Sequence, residues 1–255
     1  MSDDYLTISE ARKRKGLRLV MMRGFPSPWT QAARGLFHVK GIAFDKVAIG
    51  PEEPRELLRE WTGQDSFPAA MLDDERPRTG WEEILWLAER LAPTPSLIPI
   101  DPNDRIRMFG LSREICGEMG LGWCRRLMAM GLAADAPPAG LEAFHLKYGA
   151  TPEEGARAQE RVVEILKTLT AQLVGSRDEG YHYLMGARIS AVDIYWATFC
   201  NLLAPLDAER MPTLPESMRG MFTAKEPEVV AAIDPLLLAL RDLVYAEHLE
   251  LPVEL

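Results

Sequence analysis

Hydrophobic and polar positions divide the chain into a first part in which strands alternate with helices and a second part that is helical. Residues 17–22 form a short apolar run typical of a buried strand. Residues 29–39 then carry apolar side chains at the spacing of a helix, and residues 43–49 alternate as a second strand does. This order predicts a βαβ unit with parallel strands.

The rest of the first part continues the same alternation. Residues 54–61 predict a short helix and 67–72 a third strand, with room for only a brief fourth strand before Trp81. Pro68 stands at the entrance of the third strand, because proline cannot donate to a ladder, and its peptide bond can be cis. Residues 81–91 predict an amphipathic helix with an apolar inner side made of Ile84, Leu85, Leu87, Ala88 and Leu91.

A proline-rich stretch at 92–96 marks the domain boundary. Beyond it we predict helices over 104–132, with a bend among its glycines, and then over 151–174, 190–203 and 227–244, with a loop at 135–149. The expected fold class is therefore a small α/β domain, residues 17–92, followed by an all-α helical bundle, residues 103–255. Residues 1–16 form a polar N-terminal extension, expected to be solvated or loosely docked.

Composition and charge narrow the function classes. The net charge of −9 argues against a general nucleic-acid binder and against a protein that sits on anionic lipid. No apolar run approaches the roughly 20 residues of a membrane-spanning helix, and the first residues lack the order of a secretory signal. The three cysteines are expected to be reduced core residues, which fits a cytoplasmic protein, and no metal site is expected.

Ser27 is the candidate for chemistry in the first part. It precedes Pro28, which suits the first turn of the predicted helix, so Ser27 stands where free N–H groups and the helix dipole favour negative charge. A hydroxyl at this position can cap the helix or can hold a bound anion. The cap is the default interpretation for a serine at a helix start.

Four strings in this order resemble the cytosolic glutathione transferase superfamily over almost the whole chain. SPWTQAAR at 27–34, continuing to KGI at 40–42, is similar to the family's catalytic turn and first helix. FPAAM at 67–71 is similar to its strand that begins with a cis-proline, and LIPIDP at 97–102 to its interdomain linker. GARISAVDIY at 186–195 is similar to its buried Ser-x-x-Asp capping box, which is structural. The resemblance implies a thioredoxin-like N-terminal domain and an all-helical C-terminal domain.

The resemblance also implies glutathione as co-substrate, with Ser27 as the catalytic residue that favours its thiolate over the thiol. Conjugation or isomerisation is then expected, whereas a mixed disulfide with a protein cysteine is not, because this domain contains none. The family's Glu-Ser or Asp-Ser pair for the γ-glutamyl group is replaced here by Gly80 and Trp81. The residues expected to bind glutathione are Ser27, Trp29, Phe67, Pro68, Thr79, Trp81 and Glu82.

The second substrate is expected to be a small hydrophobic electrophile, held by apolar side chains on the first long helix of the second domain: Met108, Phe109, Ile115, Met119, Trp123 and Met128. For any one of these residues, a place in the core is the preferred interpretation. A homodimer is implied by the resemblance. One alternative is a non-catalytic binding or scaffold protein of the same fold that has lost the γ-glutamyl anchor. Another is a thioredoxin-like partner domain in which Ser27 is only a cap.

Overall fold

The computed structural model describes residues 5–50, 53–129, 142–148 and 151–255. The chain forms two compact units. The first contains Met1–Ser96 together with Val253–Leu255, and the second contains Leu97–Pro252. Each unit is described by itself below. The division after Ser96 falls at the end of the proline-rich stretch from which the boundary was predicted.

The first unit is built on a three-stranded sheet. Strand β1 (Leu17–Val20) lies between β2 (Asp45–Val47) and β3 (Ala69–Leu72). It runs parallel to β2 and antiparallel to β3, as a βαβ unit followed by a returning strand requires. The brief fourth strand is reduced to one antiparallel bridge, in which Ala70 and Arg78 exchange hydrogen bonds of 2.8 and 2.9 Å.

The helices of this unit are α1 (Ile8–Ala11), α2 (Pro28–Val39), α3 (Arg55–Thr62) and α4 (Trp81–Leu91). Helices α2, α3 and α4 confirm the predicted segments. The inner side of α4 is buried at Ile84, Leu85, Leu87 and Ala88, but Leu91 is 37% exposed. The prediction is wrong for Leu91 because the helix ends there and the chain turns to an extended conformation at Ala92.

The N-terminal extension is part of the first unit rather than a loosely docked tail. Leu6 pairs with Val47 at the edge of β2, and Ile8 and Ala11 of α1 are fully buried. The Glu53 carboxylate accepts hydrogen bonds from the first N–H groups of this helix, at 2.8 Å from Ile8 N. The expectation of a solvated or loosely docked extension is therefore wrong for residues 5–11, whereas residues 12–16 are exposed and residues 1–4 lie outside the described residues.

The second unit contains α5 (Pro102–Cys116), α6 (Leu121–Ala129), α7 (Glu142–Tyr148), α8 (Pro152–Asp178), α9 (Ala191–Phe199), α10 (Glu216–Phe222), α11 (Pro227–Ala232) and α12 (Pro235–His248). The predicted bend is a full break between α5 and α6. A Cβ atom on Gly120 would lie 2.6 Å from the Glu114 carbonyl oxygen, so this break requires glycine.

Three expectations for the second domain need correction. The segment predicted as the last helix, 227–244, lies in two helices, α11 and α12, because Asp234 caps a new helix that begins at Pro235. Part of the predicted loop at 135–149, residues 142–148, is helix α7, while residues 130–141 and 149 lie outside the described residues. The segment Val253–Leu255 belongs to the first unit and not to the helical one.

The capping box at the start of α9 is confirmed. The Asp193 carboxylate accepts hydrogen bonds from Ser190 N at 2.8 Å and from Ser190 Oγ at 2.7 Å. Its other oxygen accepts one from Leu184 N at 2.8 Å. Because all of these groups are buried, the box fixes the start of a core helix. Among the described residues, no helix combines the length and apolar character needed to cross a membrane.

Candidate functional site

Ser27 occupies the N-cap position of α2, with Pro28 at the first helical position. Its carbonyl oxygen accepts the first helical hydrogen bond, from Gln31 N at 3.0 Å. Its side chain makes no capping hydrogen bond, although the residue is only 3% exposed. The default interpretation, a serine whose hydroxyl caps the helix, is therefore wrong for Ser27.

The N-terminus of α2 also lacks a carboxylate of its own. Its first turn contains no acidic residue, so no side chain there offsets the positive end of the helix dipole. Helix α4 is the opposite case, since its first turn carries both Glu82 and Glu83. Of these two helix starts in the first unit, α2 is the one whose local charge favours a bound anion.

The register of the sheet brings the predicted binding segments to one end of the first unit. Val20, the last residue of β1, lies opposite Ala69, the first residue of β3. The chain that leaves β1 toward Ser27 is therefore at the same end as Pro68. The bridge between Ala70 and Arg78 runs antiparallel, so the residues after Arg78, Thr79 and Gly80, lie toward that end as well.

Phe67 offers an open stretch of backbone beside this end. The Phe67–Pro68 peptide bond is cis, as the sequence allowed, and Phe67 precedes the first residue that pairs with β1. Within the described ranges, no backbone hydrogen bond involves Phe67. An unpaired edge of this kind can pair with an extended peptide, as in β-strand addition.

The start of α4 does not provide the anchor that the resemblance implies. The Glu83 carboxylate accepts hydrogen bonds from Thr79 N at 3.0 Å and Gly80 N at 3.1 Å, and Arg76 Nη1 contacts its other oxygen at 2.5 Å. These contacts hold the pKa of Glu83 below its usual value despite its partial burial, which acts to raise it. The amides of Thr79 and Gly80 are thus occupied by the protein itself.

The remaining residues predicted to bind glutathione differ in exposure. Trp29 and Trp81 are half-buried, Thr79 is half-buried and Glu82 is exposed. Glu83, which the sequence analysis did not single out, has the strongest interactions at this helix start. Its position three residues after the N-cap, where acidic residues complete capping boxes, was the signal that could have identified it.

The cysteines are not candidates for chemistry. The side chains of Cys116, Cys124 and Cys200 form no disulfide bond, are buried and lie in the second unit. Burial raises the pKa of Cys124 and of Cys200 to about 12 and that of Cys116 well above its ordinary value. Since the thiolate is the reactive form, these thiols are inert. Among the described residues, no group of three or more His, Cys, Asp or Glu side chains could hold a metal ion.

The apolar residues predicted to hold the second substrate divide into two groups. Met108 and Ile115 are fully buried and belong to the core of the second unit. Four others remain partly accessible, and these are Phe109, Met119, Trp123 and Met128. For the accessible four, the role in binding the second substrate stays a prediction.

Among the comparisons with known proteins, only the one with solved structures found similar proteins. Neither a protein-family model nor a curated protein sequence matches the chain. The combination of a small mixed sheet with helices and an all-helical second unit defines a class: a thioredoxin-like domain followed by a helical domain. Many solved structures of that class match nearly the full length of this chain.

Three of these structures illustrate the match. A rice glutathione transferase in complex with glutathione aligns with a TM-score of 0.61 at 19% identity, covering 94% of this chain and 93% of the other. Glutathione transferase Omega 3C of Trametes versicolor aligns with a TM-score of 0.59 at 16% identity, covering 94% and 89%. A maleylacetoacetate isomerase of Methylobacterium extorquens with bound malonate and glutathione aligns with a TM-score of 0.55 at 17% identity, covering 90% and 92%. The chain therefore has the fold of the cytosolic glutathione transferases.

Proposed function

We propose that this protein is a glutathione transferase-like enzyme that stabilises the thiolate of glutathione at Ser27 for attack on a small hydrophobic electrophile. The observation that carries the proposal is the uncommitted Ser27 hydroxyl at the start of α2, a helix whose first turn holds no acidic side chain. A hydroxyl donor and a helix N-terminus together favour the anionic form of a nearby sulfur. Structural likeness to enzymes crystallised with glutathione supports the same ligand.

The chemistry follows from the ionised sulfur. Glutathione supplies the nucleophile, and its thiol proton passes to solvent when the thiolate forms. The sulfur then forms a bond to an electrophilic carbon of the second substrate. In a conjugation by substitution, the leaving group departs with its bonding electrons. In an isomerisation, the bond to sulfur is later broken again and the thiolate is regenerated.

The residues present fit part of glutathione well and part of it poorly. Ser27 suits the sulfur, and the open backbone of Phe67 suits an extended cysteinyl segment. The γ-glutamyl end lacks the usual acid and hydroxyl pair, and Glu83 already accepts from Thr79 N and Gly80 N. We therefore expect glutathione to bind mainly through its cysteinyl and glycyl parts, with lower affinity than a complete anchor would give.

The decisive experiment is an ultraviolet titration of the thiolate of protein-bound glutathione. We expect the wild type to lower the thiol pKa relative to free glutathione. Ser27→Ala should reverse that shift by about 1–2 pH units, because a hydrogen bond to a charged group contributes about 1.5–3 kcal/mol. Ser27→Thr, which keeps a hydroxyl, should retain most of the shift.

Thr30→Val is the matched control for this titration. Thr30 lies one turn from Ser27 on the same helix, and its buried hydroxyl has no hydrogen-bond partner in the part of the chain that the structure describes. Removing that hydroxyl should leave the thiol pKa unchanged. Equal pKa values for bound glutathione in the wild type and in Ser27→Ala would refute the catalytic role of Ser27.

A second candidate function is a binding or scaffold protein of the same fold without catalysis. The observation that favours it is the substitution of the γ-glutamyl pair by Gly80 and a half-buried Trp81. Calorimetry with millimolar glutathione separates the two functions, because absence of heat would leave only the non-catalytic one. We also propose a homodimer, which analytical ultracentrifugation would detect.

A further inference from the structure

A cleft of about 390 Å³ lies within the second unit, separate from Ser27 and its neighbours. Its walls are the first turns of α5, the last turns of α8 and the segment 181–187 that follows α8. The volume falls in the lower part of the range for small-molecule pockets. The cleft can therefore admit a compact ligand.

The inner wall of this cleft is held in place by hydrogen bonds. The Leu184 carbonyl oxygen accepts from Gln172 Nε2 at 2.7 Å and from Ser176 Oγ at 3.0 Å. Leu184 N donates to the buried Asp193 carboxylate at 2.8 Å. The segment after α8 is thus fixed to both α8 and α9, so the cleft is preformed rather than created by a mobile loop.

The cleft contains charges of both signs that the protein does not pair. Asp104 and Arg107 lie three residues apart on α5, a spacing that commonly gives an ion pair on a helix. Glu179 adds a second carboxylate at the C-terminal end of α8. Throughout the described ranges, none of these three side chains forms an ion pair or a side-chain hydrogen bond.

We propose that this cleft binds a zwitterionic ligand, namely a free amino acid or a dipeptide. The carboxylate of the ligand binds the guanidinium of Arg107, which is suited to two parallel hydrogen bonds. Its ammonium group binds at Glu179 and Asp104. Glu179 sits at the negative end of the α8 dipole, where a cation is favoured and a carboxylate alone is not. This inference does not rest on the proposed thiol chemistry.

The side chain of the ligand meets a mixed apolar surface. Tyr181 and Met185 line the cleft, and the thioether of methionine adapts to varied apolar shapes. Gly175 of α8 also lines it, and a Cβ atom there would meet no atom within 4 Å. A larger side chain at position 175 would therefore fill the cleft without displacing protein atoms at its Cβ.

Isothermal titration calorimetry of the full chain with glycyl-L-phenylalanine tests the proposal. We expect binding of the free dipeptide, and at least tenfold weaker binding of its N-acetylated form and of its C-terminal amide. Arg107→Gln should remove the difference between the free acid and the amide. Asp104→Asn combined with Glu179→Gln should remove the difference between the free and the acetylated amine.

Gly175→Leu is the blocking variant. It should abolish dipeptide binding while the circular dichroism spectrum, the melting temperature and the thiolate titration stay as in the wild type. Each of three results would overturn the inference: no dipeptide binding to the wild type, unchanged binding to Gly175→Leu, or equal affinity for the free and the blocked dipeptides. Loss of a dimer in Gly175→Leu without any dipeptide binding would instead identify the cleft as an interface between copies.

Discussion

Replacing Asp193 by alanine should be among the most destabilising single changes in this chain. The change leaves three buried donors without an acceptor: Leu184 N, Ser190 N and Ser190 Oγ. An unsatisfied buried donor costs about 1–3 kcal/mol, but the variant also no longer buries a carboxylate, which offsets part of the loss. The expected loss is about 3–5 kcal/mol of unfolding free energy, a large share of the roughly 5–15 kcal/mol typical of a domain.

Urea denaturation followed by circular dichroism measures this loss. Ser190→Ala is the matched control, because it removes one of the three hydrogen bonds and keeps the carboxylate, and it should cost about 0.5–2 kcal/mol. If Asp193→Ala were no more destabilising than Ser190→Ala, the carboxylate would not be the centre of the capping box, and the reasoning would be refuted.

The same carboxylate predicts a pH dependence with a definite sign. Burial raises the pKa of Asp193 from 3.8 to about 6, against the opposing effect of its hydrogen bonds to Leu184 and Ser190. The folded state therefore holds this proton more tightly than the unfolded state, and the resulting stability is lost as the pH rises through 6. From pH 7 to pH 5, the wild type should gain on the order of 1 kcal/mol relative to Asp193→Asn. A relative loss over this interval would contradict the raised pKa.

Three further substitutions test other parts of the fold by the same denaturation assay. Gly120→Ala should cost about 1–3 kcal/mol, because its Cβ would lie 2.6 Å from a backbone oxygen, whereas Gly110→Ala, with nothing within 4 Å, should be neutral or stabilising. Lys40→Met should cost about 3–5 kcal/mol, since it removes a fully buried ammonium that lies 2.8 Å from the carboxylate of Glu89, whose side chain is 13% exposed. Glu254→Gln should cost at most about 1 kcal/mol of unfolding free energy, and less in high salt, because the Glu254 side chain is 57% exposed. Val253→Ala should cost about 2 kcal/mol, because it removes two buried methyl groups.

Local signals in the sequence were sufficient for the order of strands and helices in the first unit and for the position of Ser27 at the start of a helix. The helix after β1 was predicted from its apolar spacing and from Pro28, and α2 begins at that proline. A bend was predicted from the glycines at 117–122, and the structure has a full break between α5 and α6 there, where the local backbone requires Gly120. These features are determined by neighbours within a few residues, which is the range over which periodicity and turn chemistry act.

Contacts between distant parts of the chain could not be predicted in this way. The N-terminal extension is held by Asp73, whose carboxylate accepts a hydrogen bond from Gly16 N at 2.8 Å, and by Glu53, which caps α1. The C-terminal segment is held by Arg34 and Lys46, whose side chains bind Glu254. Each partner lies more than 40 residues away along the chain. No local pattern therefore predicted that either terminal segment packs against the first unit.

The contacts of Glu83 are local and could have been predicted from the sequence, but they were not. Glu83 lies within four residues of the amides that it binds, so a local rule could have found it. The family resemblance drew attention instead to Gly80 and Trp81, where the expected residues are missing. The N-termini of α2 and α4 therefore differ by a physical criterion that does not depend on the resemblance: α4 is capped by its own carboxylate, and α2 is left without one. We therefore expect the anion of a ligand to bind first at α2, and we propose that activity depends on the Ser27 hydroxyl and not on the substituted γ-glutamyl pair.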